Sequence, residues 1–102
     1  MAYGSGEPIN LILQMATDML PAVLKKVGVE DTAENREDVL ALALNALPSK
    51  YITSGGGKSY TQLIENYRHQ YEADVLMSLT RAAVKVKECP RCVRRELEEG
   101  LA

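Results

Sequence analysis

The chain has 102 residues, 46% of them apolar and 25% charged, with a formal net charge of −2. That length fits one domain, able to bury about two-thirds of its unfolded surface without a disulfide or metal to hold it. The composition argues against extended disorder, the charge against a strongly basic nucleic-acid surface, and the lack of any apolar run near ~18 residues against a membrane span.

The opening Met1-Ala-Tyr-Gly-Ser-Gly lacks the positive flank and apolar core of a signal peptide. Residues 1–7 therefore read as a flexible tail on a cytoplasmic protein. A first helix is predicted from near Pro8, because proline is tolerated where the helical N–H is unpaired anyway. Ile9, Leu13, Ala16 and Leu20 follow at three- and four-residue spacing, with Ile12 and Met19 widening the stripe. Pro21 should kink or restart the helix, with Asp18 available as a cap for the second half. Val23, Leu24 and Val27 continue the apolar face until Gly28 stops it.

A second helix should start after Asp31 or Thr32 as cap and run to about Leu47. Val39, Leu40, Ala43, Leu44 and Leu47 form its apolar face, and Pro48 ends it. Residues 48–59 form the main loop, with Tyr51-Ile52-Thr53 as a brief extended stretch and three glycines behind it. A long third helix is predicted from Tyr60 to Lys87, with Leu63, Ile64, Tyr67, Tyr71, Val75, Ser78, Leu79, Ala82 and Val86 on one face. Cys89-Pro90 opens a short charged helix that Gly100 closes. There is no Trp or Phe, so the core must be aliphatic, and four of the five tyrosines fall between positions 51 and 71.

Several motifs have plain explanations. Gly55-Gly56-Gly57-Lys58-Ser59 resembles a phosphate-binding loop, but Ile52 stands where the first glycine belongs and no strand–loop–helix pattern surrounds it. Cys89-Pro90-Arg91-Cys92 has the spacing of half a zinc site or of a redox pair. A second copy would be needed to complete four thiolates, and a redox fold would need a sheet. Two free thiols in a reducing compartment, with no bound metal, are expected. His69 has no cysteine or serine to activate and reads as a solvated helix residue. No paired carboxylates or nucleophile–base arrangement stands out, so no enzymatic activity and no cofactor are expected. Arg91, Arg94 and Arg95 make a basic patch in the first turns of the last helix, against the macrodipole, and read as a solvated or frayed tail.

Periodicity leaves the 36–54 stretch partly unexplained. Asn45 near a helix end, followed by Pro48, Lys50 and Tyr51, suits either plain capping and turn chemistry or the rim of a small-molecule site. Asp38-Val-Leu-Ala-Leu-Ala-Leu-Asn45-Ala-Leu-Pro48-Ser-Lys-Tyr51 resembles the signature of the ComFB (late competence development) family, an acid and an apolar run followed by ALN and LPxxY. The resemblance spans roughly residues 9–88. It implies a small α-helical fold, a homodimer, and a bacterial second-messenger receptor that binds cyclic dinucleotides such as cyclic di-GMP. Some relatives carry cysteines just before the second helix, aligned here with Thr32 and Asn35, which cannot replace thiolate ligands.

The resulting expectation is an all-α homodimer of three main helices plus a short C-terminal one. Its parts are a tail (1–7), a ComFB-like helical domain (8–88) and a charged C-terminal helix or tail (89–102). It would bind cyclic di-GMP without altering it, and signal through a downstream protein or transcription factor. Arg36 suits a phosphate or base, Asp38 and Asn45 guanine edges, and Tyr51 stacking, with Lys50, Ser54 and Arg68 as further contacts. Arg36, Asp38 and Tyr51 are expected at a rim and not in the core. The alternatives are a helical interaction or regulatory module without a small ligand, and a DNA-binding regulator using the 91–95 arginines.

Overall fold

The computed structural model describes residues 9–48, 51–52 and 60–100. In chain order these form β1 (Ile9–Asn10), α1 (Leu11–Val27), α2 (Ala33–Asn45), β2 (Tyr51–Ile52), α3 (Tyr60–Glu88) and α4 (Pro90–Glu98). The class is all-α, as the apolar spacing predicts. The two short strands pair antiparallel, Ile9 opposite Ile52 and Asn10 opposite Tyr51. The extended stretch expected after Pro48 is thus present at Tyr51–Ile52, while Thr53 lies outside the described residues, as do the 1–7 tail and the glycine run.

Strand pairing moves the start of α1 from Pro8 to Leu11. Asn10 serves as the cap, accepting from the Leu13 backbone N–H at 3.2 Å. Leu11, Ile12, Met15 and Ala16 point into the core, whereas Leu13 is 38% exposed. Leu13 lies two residues from Leu11 and from Met15, about 200° around the axis from each, so it cannot share their face. The helix does not restart at Pro21. That residue is exposed, and Leu20, Val23 and Leu24 bury both halves on one core, which outweighs the single ladder bond a proline removes. Asp18 is consequently a mid-helix surface residue and caps nothing.

Gly28 ends α1 with φ +89°, the left-handed conformation a Cβ disfavours. Its N–H and that of Val29 both reach the Leu24 carbonyl at 2.9 Å, and Lys87 donates from Nζ to the Val27 carbonyl at 2.9 Å. The far end of α3 is thereby tied to the C-terminus of α1.

Thr32 caps α2, its hydroxyl accepting from the Asn35 N–H at 3.1 Å. The helix stops at Asn45, two residues short of the expected Leu47. The Ala46 and Leu47 N–H groups bond three residues back, to Ala43 and Leu44, which tightens the chain into a turn before Pro48. α3 contributes Val75, Leu79, Ala82, Ala83 and Val86 to the core, against α1 and against Val39 and Ala43 of α2. No aromatic ring among the described side chains is fully buried. Tyr67 and Tyr71 are half-buried and stacked, with centroids 6.0 Å apart.

α4 corrects the expectation of a solvated or frayed tail. Val93 is 2% exposed and Leu97 packs beside it on the same core, so the helix docks on α2 and α3. The one-turn spacing of Val93 and Leu97 supplies the apolar stripe, and the arginines border it. Cys89 and Cys92 are joined as a disulfide, where two free thiols were expected. In that state neither is a thiolate available to a metal.

Candidate functional site

Arg36 sits at the start of α2, on its exposed side. Its Nε donates to Asp31 Oδ1 and its Nη2 to Asp31 Oδ2 at 2.8 Å, a two-pronged pair with about half of each side chain in solvent. The hydrogen bond from Arg36 holds the Asp31 carboxyl below its usual range, with the guanidinium charge acting the same way. The same bond and charge raise the Arg36 guanidinium above its ordinary value. Chemically this is a fixed, fully charged fork whose present partner is an exposed carboxylate. A phosphate offers the same geometry and more charge.

Asp38 lies two residues further, about 200° around the helix, and faces the opposite way. It is 2% exposed, the one buried charged side chain among the described residues. Arg94 of α4 brings Nη2 to 2.9 Å from Oδ1. The contact is an ion pair by distance without a well-directed hydrogen bond, and Oδ1 is left unsatisfied in that sense. Glu34 and Glu37 stand 3.7 and 3.9 Å from the same guanidinium. Burial raises the Asp38 carboxyl above its usual range; Arg94 opposes this, and the charges of Glu34 and Glu37 add to the rise. The expectation that Asp38 stands at an open rim is therefore not met, because α4 covers it.

The remaining candidates are scattered. Asn45 is the exposed last residue of α2, seven positions and about 10 Å of helix rise beyond Asp38. Tyr51 lies in β2 opposite Asn10, which ties the LPxxY segment to the start of α1; its ring lies outside the described residues, as do Lys50 and Ser54. Arg68 is half-buried on α3, and its Nε is buried with no hydrogen-bond partner. The structure thus places Arg36 and Asn45 on the surface of α2, and Asp38 beneath α4.

An open groove of about 560 Å³ runs between the C-terminal half of α2 and α3, lined in part by Leu42, Ala46, Ala82 and Val84, with Arg81 and Lys85 on its rim. Beside it, α3 exposes Leu76, Met77 and Val84 at 39, 51 and 38%. With Thr80 these residues follow one helical row, away from the core row of Val75, Leu79 and Val86. A smaller cleft of about 240 Å³ separates α4 from α2, between Glu34 and Arg91, Arg94, Arg95 and Glu98.

Against known families, the model described as late competence development protein ComFB matches residues 9–90. The chain belongs to the ComFB family. No curated protein and no solved structure matches it. The ComFB signature from Asp38 to Tyr51 maps onto α2, the turn through Pro48 and the first residue of β2. Thr32 and Asn35, where the family resemblance would put cysteines, have other work here. Thr32 caps α2, and Asn35 donates from Nδ2 to the Glu30 carbonyl at 2.8 Å. No group of three or more His, Cys, Asp or Glu among the described residues is arranged to hold a metal. No helix is long and apolar enough to cross a membrane, again among those residues.

Sequence reasoning missed Arg94 as the partner of Asp38. A signal existed: Val93 and Leu97 mark the buried side of a helix, and the residue beside Val93 must border whatever that side covers.

Proposed function

We propose that this ComFB-family chain is a non-enzymatic receptor that binds cyclic di-GMP as a homodimer and passes the signal to a protein partner. The observation that carries the reading is the family match over residues 9–90 together with the exposed Arg36 fork at the head of α2. A cyclic dinucleotide brings two phosphates related by near two-fold symmetry, and a symmetric dimer offers each of them one Arg36. Exchange of Asp31 for a phosphate keeps the bidentate geometry and exchanges one charge partner for another. Asn45, Lys50, Tyr51, Ser54 and Arg68 remain the candidates for base edges, stacking and further phosphate contacts. Asp38 reads a guanine edge only in a conformation where Arg94 has withdrawn.

The exposed Leu76–Met77–Val84 row and the adjoining groove supply an apolar face on which a second copy can pack. The DNA-binding alternative loses support at the same time. Arg94 is engaged by Asp38, and Arg95 donates to Glu99 at 3.3 Å, so two of the three arginines of the basic patch already face carboxylates. Thermal melting with and without the dinucleotide tests the reading. Saturating cyclic di-GMP at about 100 times its dissociation constant stabilises a native-state binder by roughly 2.7 kcal/mol, and a non-binder not at all. The reading fails if the melting temperature is the same in both.

A further inference from the structure

The Cys89-Pro90-Arg91-Cys92 segment takes no part in the site above. Cys89 occupies the N-cap of α4, where its sulfur accepts from the Cys92 backbone N–H at 3.3 Å, and Pro90 opens the helix. Cys92 is exposed and Cys89 half-buried. A sulfur at this place faces the positive end of the helix and an amide donor, and Arg91 follows in the first turn; each favours the thiolate form. The pair also sits at a mechanical junction. Val93, next to Cys92, is buried in the core, and Arg94 is the residue that closes over Asp38. All of α4 beyond its first residue lies outside the stretch matched by the family model.

We propose that Cys89 and Cys92 form a reversible thiol–disulfide exchange site, reduced by a dithiol, which latches α4 over Asp38. One thiolate of the reductant attacks the exposed Cys92 sulfur, forming a mixed disulfide and breaking the bond to Cys89. Cys89 departs as a thiolate, stabilised by its N-cap position. The second thiol of the reductant then attacks its own partner sulfur and releases Cys92. Two electrons pass to the protein pair, the reductant leaves as its disulfide, and its two thiol protons go to the cysteines or to water. In the oxidised chain the first turn of α4 is closed covalently. In the reduced chain a nine-residue helix, marginal by itself, keeps its docking contacts, among them Val93, Leu97 and the Arg94 ion pair, without that covalent closure. Docking then weakens, Arg94 withdraws more often, and Asp38 is uncovered. The latch concerns α4 and stands whether or not a nucleotide binds.

The test uses the full chain without nucleotide, equilibrated with either oxidised glutathione or reduced dithiothreitol. Alkylation and mass spectrometry count the thiols, and amide hydrogen exchange follows residues 36–40 and 90–98. The expected result is no free thiol after oxidation, two after reduction, and return to none when the oxidant is restored. Exchange in both segments should be roughly tenfold faster in the reduced chain. A Cys92→Ser variant should show the fast exchange in either buffer. Thiols that stay free in oxidised glutathione, a zinc ion that shields them from alkylation, a disulfide that dithiothreitol cannot open, or equal exchange rates in the two forms of the parent chain would each overturn the proposal.

Discussion

Arg94 of α4 places its Nη2 2.9 Å from the buried Oδ1 of Asp38 in α2, joining residues 56 positions apart across the α2–α4 boundary. Removing the cation leaves a desolvated carboxylate with the charges of Glu34 and Glu37 acting against it. Truncating one partner of a buried pair typically destabilises by 3–5 kcal/mol; since a third of the Arg94 side chain is in solvent, about 2 kcal/mol is expected for Arg94→Ala, read from the urea midpoint.

The same carboxyl sets a pH dependence. Its folded value is raised, so the native state holds the proton more tightly than the unfolded chain does. The resulting stability is fully present below the ordinary carboxylate range and is lost as pH rises through the raised value. Asp31 acts with the opposite sign: its value is lowered, so its contribution is present above the ordinary range and lost as pH falls through the lowered value. Asp38→Asn should abolish the first effect and leave the second, flattening the fall of stability with rising pH just above the ordinary carboxylate range. Urea titrations from about pH 3 to 7 measure it.

The four helices were legible because their apolar residues recur at helical spacing and their ends carry chemistry that acts locally. Thr32, Gly28, Pro48 and Pro90 each mark a boundary within a residue or two. The start of α1 was not legible, because Ile9 and Asn10 are claimed by a strand partner more than forty residues away. The role of Asp38 was hidden for the same reason. A carboxylate beside Val39 looks solvated until another helix is laid over it, and nothing near position 38 announces Arg94. Arg36 was legible as an exposed cation at a helix start, although its grip on Asp31 was not foreseen.

Arg36→Ala should weaken cyclic di-GMP binding about ten- to a hundredfold, the usual effect of losing a charge-assisted bond to a ligand. The urea midpoint of the unliganded variant should stay near the parent, since exposed pairs such as Arg36–Asp31 contribute little to folding. Tyr51→Ala should cost about 1–3 kcal/mol of affinity if the ring stacks on a base, and Tyr51→Phe almost nothing. Calorimetry of the three variants distinguishes a ligand site from an architectural corner.

If a second copy packs on the exposed row of α3, a charge placed there should separate the copies without unfolding either. Met77 is half exposed, so Met77→Glu leaves the core untouched. Sedimentation at micromolar concentration should give twice the chain mass for the parent and the single-chain mass for the variant. Equal masses for the two would exclude this face.

Gly28→Ala tests the junction of α1 and α3. The left-handed backbone penalises an L side chain by roughly 1–2 kcal/mol. The new Cβ would also lie 3.2 Å from Lys87 Nζ, which must move while it holds the Val27 carbonyl. A loss of about 1–2 kcal/mol in urea denaturation is expected, with Lys87→Met giving a smaller loss.

The most direct test of the receptor reading is isothermal titration of the purified full chain with cyclic di-GMP, with cyclic di-AMP run in parallel. The account predicts saturable binding of cyclic di-GMP, one ligand or one stacked pair of ligands per dimer, lost or much weakened in Arg36→Ala. Cyclic di-AMP binding as well would broaden the ligand class and leave the site in place. No heat and no saturation with either dinucleotide, in a chain shown to be folded and dimeric, would contradict it.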